Sequence, residues 1–186
     1  MTVDPSLVPA EPFGPAKARL AAAALAARDE IVGLSHAIHA DPEPAFEEHR
    51  SAARVAEALA RHGYDVTLPA GRLATAIRAT LPGGLGSDGP RIAILAEYDA
   101  LPGLGHGCGH NTMAASGVGA AIALAALAPE LRGEIVFLGT PAEERGSGKQ
   151  FMLDDGLFEG LDAALLYHPS DRTSVACVLL DRKSVV

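Results

Sequence analysis

The sequence predicts an α/β fold, a largely parallel sheet flanked by helices, and two observations carry that expectation. Short apolar runs bounded by glycine, proline and polar residues alternate with longer stretches of helical hydrophobic spacing, the pattern that strand–helix–strand units leave in a sequence. Three of the apolar runs also end in groups able to do acid–base or metal chemistry. In open α/β sheets, ligands bind beyond the carboxyl ends of the strands.

The elements follow in order. Residues 1–15 contain four prolines and little periodicity, and read as a loose lead-in. From Ala16 to about Ala40 the spacing is helical, with Leu20, Leu25, Ile31, Leu34 and Ile38 on one face. Asp41-Pro42-Glu43-Pro44 ends that pattern, because proline cannot continue the hydrogen-bond ladder. A second helix is expected from about Phe46 to His62, burying Val55, Ala58 and Leu59 and closed by Gly63. Tyr64–Leu68 and Ala74–Thr80 read as strands, and residues 81–90 as an exposed loop. Arg91–Tyr98 is a buried strand leading into a glycine-rich loop, and Thr112–Ala128 a helix of small residues. Glu134–Gly139 is a second buried strand, Gly148–Leu157 a short helix, and Leu161–Tyr167 and Ser174–Leu180 the last strands. No internal repeat is visible.

Composition narrows the function classes. A chain of 186 residues, 48% hydrophobic, has the material for one domain with a core. A net charge of −8 argues against nucleic acid as a partner, since that partner needs a basic face. No run approaches the ~18 apolar residues of a membrane span, and Met1-Thr2-Val3-Asp4-Pro5 lacks the basic and apolar regions of a signal peptide. A cytoplasmic protein without a membrane partner is expected. Cys108 and Cys177 lie in dissimilar surroundings and are not expected to pair.

The chemistry gathers at four places. Ile92–Ala96 runs into Glu97-Tyr98-Asp99, Ile135–Leu138 into a segment ending Glu143-Glu144, and Ala163–Tyr167 into His168-Pro169. Solvated turns also favour acids, but that accounts poorly for such groups at the ends of successive apolar strands. The fourth place is Gly103-Leu104-Gly105-His106-Gly107-Cys108-Gly109-His110-Asn111. There a thiol and an imidazole two residues apart can face one ion, with glycines permitting the turn. The following helix N-terminus should favour the Cys108 thiolate. Thiolate, imidazole and carboxylate together suit a divalent metal, Zn²⁺ foremost, with Mn²⁺, Co²⁺ or Ni²⁺ as alternatives. Glu143-Glu144 reads as an extended segment, in which successive side chains point in opposite directions. One carboxylate could then bind metal while the other moves a proton between an activated water and the leaving amine.

On Ala96–Asn111 (AEYDALPGLGHGCGHN) and Gly139–Lys149 (GTPAEERGSGK) the chain resembles the aminoacylase and carboxypeptidase-G family of metallopeptidases, in its aminobenzoyl-glutamate hydrolase-like branch. Leu34–Glu48 and Ala164–Pro169 support the likeness, which covers nearly all of residues 30–180. The resemblance implies a zinc-exopeptidase-like catalytic domain holding one or two divalent ions, Zn or Mn. It makes Cys108, His110, Glu144 and His168 the metal ligands, with Cys108 bridging two ions. It makes Glu143 the general base and Asp99 the carboxylate that orients a ligand. Related branches carry His-x-Asp where this chain has Glu97-Tyr98-Asp99, so His110 is expected to take that histidine's place. The implied substrates are small: an N-acyl amino acid, a dipeptide or an aminobenzoyl-glutamate-like amide.

The resemblance also implies parts not found here. Residues 16–180 would be the N-terminal part of a truncated catalytic domain, without the inserted dimerisation and lid domain of a homodimeric full-length form and without a last histidine ligand. Residues 181–186 (DRKSVV) match one reading frame of a common sequencing adapter and are expected to be a non-native tail. Native coding sequence across that junction would sink the idea. An inactive metal-binding or partner-binding fragment and a Cys108-nucleophile amidase are the competing functional readings. His36, His39, His49 and His62 read as surface or packing residues, Cys177 as a small core residue, and His106 as either solvated or supporting a ligand.

Overall fold

The computed structural model describes residues 14–170. The expected strand Ser174–Leu180, Cys177, residues 1–13 and the tail therefore lie outside the described residues. Helices α1 (Gly14–Ala26), α2 (Arg28–His39) and α3 (His49–Arg61) come first, followed by strands β1 (Asp65–Thr67), β2 (Ile77–Pro82) and β3 (Arg91–Ala96). Helix α4 (His110–Ala125), strand β4 (Glu134–Gly139), helix α5 (Gly148–Asp154) and strand β5 (Ala163–Leu166) complete the order.

The sheet runs β1-β2-β4-β3-β5. β4, β3 and β5 are mutually parallel and form the half on which the chemistry sits, while β2 and β1 add an antiparallel margin beside β4. Side chains alternate across the pleat. On β4, Ile135 and Phe137 enter the main core with α2, α3 and α4, whereas Val136 and Leu138 enter a smaller core with Met152 of α5. The sheet is thus covered on both faces at β4.

Two expectations about helices change. The first helical stretch is two helices that break at Ala27. The apolar stripe is buried in α2 at Leu34 and Ile38, but α1 buries nothing and Leu25 is 70% exposed. An alanine-rich helix offers little to bury, and the break resets its phase against α2. The second helix starts at His49 rather than Phe46, because Phe46 sits at positive φ. The buried Glu43 carboxylate accepts the Arg50 and Ser51 backbone N–H groups at 3.0 and 2.8 Å. It thereby satisfies amides that a helix start leaves unpaired.

Small residues bring α4 onto the sheet. A Cβ at Gly117 would stand 2.9 Å from the Ala96 Cβ and 3.3 Å from the Phe137 ring. The absence of a side chain there sets the helix-to-sheet spacing. Asn111 ties the same helix to α2 through a 2.9 Å hydrogen bond to the Ser35 hydroxyl. Among the described residues no helix is long and apolar enough to cross a membrane.

Candidate metal centre

The carboxyl ends of β3, β4 and β5 open onto one place, and the start of α4 points into it. β3 delivers Glu97 and Asp99, β4 delivers Glu143 and Glu144 through a turn, β5 delivers His168, and His110 is the first residue of α4. Gly109 precedes that helix with φ +80°, where a Cβ would meet Pro169 at 2.8 Å. Glycine is needed there both for the left-handed backbone and for the close approach.

His110 is the centre of the group. It is fully buried, and its Nδ1 stands 3.0 Å from both the backbone oxygen and Oδ1 of Asp99. Both partners are acceptors, so Nδ1 carries a proton, and in the neutral ring Nε2 is the nitrogen with the lone pair. Asp99 Oδ2 accepts the Glu144 backbone N–H at 2.9 Å, so one carboxylate fixes both the imidazole and the acidic turn. Burial alone would raise the Asp99 carboxyl pKa, but the hydrogen bonds from His110 and the Glu144 amide outweigh it and hold it below the usual range. For His110, burial would lower the pKa, and the hydrogen bond to Asp99 and the nearby carboxylate charges outweigh it and raise it. This is the support that orients a metal-ligating histidine.

Around Nε2 stand Glu97 Oε2 at 3.2 Å, Glu144 Oε1 at 3.8 Å and Glu143 Oε2 at 4.0 Å. The His168 ring meets the His110 ring edge-on with centroids 5.6 Å apart. Two groups of donors result, Glu97 with His110 and His168, and His110 with Glu143 and Glu144, each with donor atoms within 4.8 Å of one another. His110 Nε2 and Glu97 Oε2 are buried without hydrogen-bond partners. Buried polar atoms left unsatisfied are costly, and a cation would satisfy both. The donor set therefore fits a divalent metal.

The adjacent acids do not separate as expected. Ala142 takes φ +57° and residues 143–146 form a turn, so the strand alternation is lost and both carboxylates approach His110. Exposure distinguishes them instead, at 43% for the Glu143 side chain and 16% for Glu144. Burial and the neighbouring Glu97 charge push the Glu143 carboxyl above its ordinary pKa.

Cys108 lies beside Glu144 and outside both donor groups. The expectation that the helix N-terminus favours its thiolate fails without an ion. Its hydrogen bond to Glu144, with some burial and the other carboxylates, pushes the thiol up to about 11. His106 stacks on His39 with centroids 6.2 Å apart and lines a cavity of about 660 Å³ beside the glycine-rich loop. Burial pushes its pKa down.

Sequence reasoning missed three groups. Glu97 was legible only as part of an acidic strand end. Lys149 forms an ion pair with Glu97 from the start of α5. Glu48, wholly buried, holds the site from behind: its carboxylate accepts from the Phe46 and Ala142 amides and the Thr75 hydroxyl at 2.8–2.9 Å. Burial pushes its carboxyl pKa up. Glu48→Ala is expected to lower unfolding free energy by about 3 kcal/mol, since each buried donor left unsatisfied costs about 1–3 kcal/mol. Urea denaturation would show it, and a loss within experimental error of zero would contradict this role.

Residues 93–177 match the family described as peptidase family M20/M25/M40. The chain belongs to this family. It is 40% identical to the Xaa-Arg dipeptidase of Mus musculus over 158 residues, 80% of this M20 chain and 37% of that protein. It is 38% identical to one of the subunits of the p-aminobenzoyl-glutamate hydrolase of Escherichia coli (strain K12), over 76% of this chain and 33% of that one. The M20 fold is shared with the Bacillus subtilis YXEP protein, described as a dinuclear metal binding peptidase from the M20 family. The TM-score is 0.68 and the identity 30%, over 75% of this chain and 42% of that one. The M20 chain thus spans well under half the length of these relatives.

Proposed function

We propose that this chain carries the metal centre of an amidohydrolase that cleaves the amide bond of an N-acyl amino acid, a dipeptide or an aminobenzoyl-glutamate-like substrate. The observation that carries the reading is the convergence of His110, Glu143, Glu144, Glu97 and His168 at the ends of three parallel strands. The dipeptidase and p-aminobenzoyl-glutamate hydrolase named above support the substrate class.

Cys108, His110, Glu144 and His168 would hold one or two divalent ions, Zn or Mn. A bound ion would supply Lewis acidity, lowering the pKa of water and polarising the amide carbonyl. The remaining work falls to the chain. Asp99 keeps His110 in the tautomer whose Nε2 is free. Glu143, more exposed than its neighbour and raised in pKa, accepts a proton from the attacking water and delivers it to the leaving amine. The reading carries with it a homodimeric, cytoplasmic enzyme without nucleic-acid or membrane partners.

A second reading is favoured by the openness of one side of the site. Every residue of β5 is exposed, as is His168. On this reading residues 1–186 alone bind metal without turnover. The test is to supply the chain with Zn²⁺ or Mn²⁺ and assay N-acyl amino acids, dipeptides and aminobenzoyl-glutamate. Turnover lost in Glu143→Gln supports the first reading, and metal binding with no turnover the second. Turnover that survives a chelator would overturn both in favour of Cys108 as nucleophile.

A further inference from the structure

We propose that Glu97 is itself a metal ligand, binding through Oε2 alone while Lys149 holds its other oxygen. This rests on the metal-centre reading above and adds to its ligand set. Glu97 directly follows β3 and is 2% exposed. Its Oε1 is ion-paired with Lys149 Nζ. Its Oε2 is buried without a hydrogen-bond partner and lies 3.2 Å from His110 Nε2, likewise buried and unpartnered.

That approach is unfavourable as it stands. Both acceptors at His110 Nδ1 belong to Asp99, so in the neutral imidazole Nε2 is the nitrogen open to an ion. Neither atom has a hydrogen-bond partner and neither is solvated, which is costly for both. One cation between them resolves both problems. The separation also fits: two donors about 2.1 Å from one ion stand roughly 3.0 Å apart at octahedral angles and roughly 3.4 Å at tetrahedral ones. His168 supplies a third donor to the same point. A purely structural Glu97–Lys149 pair would account for Oε1 but leave Oε2 unexplained. Lys149 also offsets one of the negative charges gathered here and leaves Oε2 as the oxygen turned toward the ion.

The test uses the 186-residue chain and Co²⁺ as probe. Affinity is read by competition with a chromophoric chelator, coordination by visible absorption, and the thermal midpoint is measured without metal. Glu97→Gln is expected to weaken Co²⁺ binding at least tenfold and to change the visible spectrum. Unchanged affinity and spectrum, with a lowered metal-free midpoint, would make Glu97 only the structural partner of Lys149 and overturn the proposal. Should Glu97→Gln fail to fold, Glu97→Asp, which keeps the charge and shortens the reach, is expected to weaken binding in a folded chain, and parental affinity there overturns the proposal equally. Cys108→Ser separates the two readings. Binding that depends on Cys108 but not on Glu97 removes Glu97 and leaves the centre standing, whereas a parent chain that binds no Co²⁺ removes both.

Discussion

Glu143→Gln, in a form of the protein that turns over substrate, is expected to keep its metal and lose about 10²–10⁴ in kcat, the usual scale for a positioned general acid–base. The amide matches the carboxylate in shape, so the turn after Ala142 survives, but it cannot accept a proton. Glu143 is the more exposed of the two acids. Glu144 is held from behind, its backbone amide on Asp99 and its carboxylate beside the Cys108 thiol. Glu144→Gln is therefore expected to weaken metal binding first, with activity recovering at high metal concentration. Metal content by elemental mass spectrometry, measured beside kcat, separates the two. If Glu143→Gln lost the ion while Glu144→Gln kept it, the two roles would be reversed.

Cys108→Ser combined with His110→Ala is expected to abolish binding of a divalent transition metal. His110 belongs to both donor groups, so its loss removes the atom they share. Cys108 contributes differently. Its thiol is held protonated by its carboxylate neighbours, up to about 11, so an ion that takes up the thiolate must displace that proton. Affinity should accordingly rise with pH in the parent, and less steeply in Cys108→Ser. Isothermal titration in buffers of different ionisation enthalpy counts the protons released. Equal metal content in the double variant and the parent would refute the assignment of both ligands.

The sequence displayed what depends on spacing along the chain and hid what depends on contacts across it. Asp99, Cys108, His110, Glu143, Glu144 and His168 stand in dense motifs beside strand ends, where residue type and position are both informative. The β4 boundaries were legible because a continuous apolar run is bracketed by Gly133 and Gly139. Glu48 was not, since an acid early in a helical pattern reads as solvated, and only packing shows it receiving donors from three separate segments. Glu97 was hidden likewise, because its significance lies in an atom without a partner. The break at Ala27 was concealed by alanines that suit a helix on either side of it.

The bare backbone at Gly117 acts at a distance. It lies seven residues beyond His110, about two turns and roughly 10 Å along the axis of α4, and therefore on the same side of the rod. Where the rod touches the sheet, at Ala96 and Phe137, determines how deeply its tip reaches past the strand ends. Helix and sheet thus form a caliper whose jaws, Asp99 on one arm and His110 on the other, close to 3.0 Å. Its screw is a missing methyl group, since a side chain at Gly117 would press on Ala96 and Phe137 and lift the helix from the sheet.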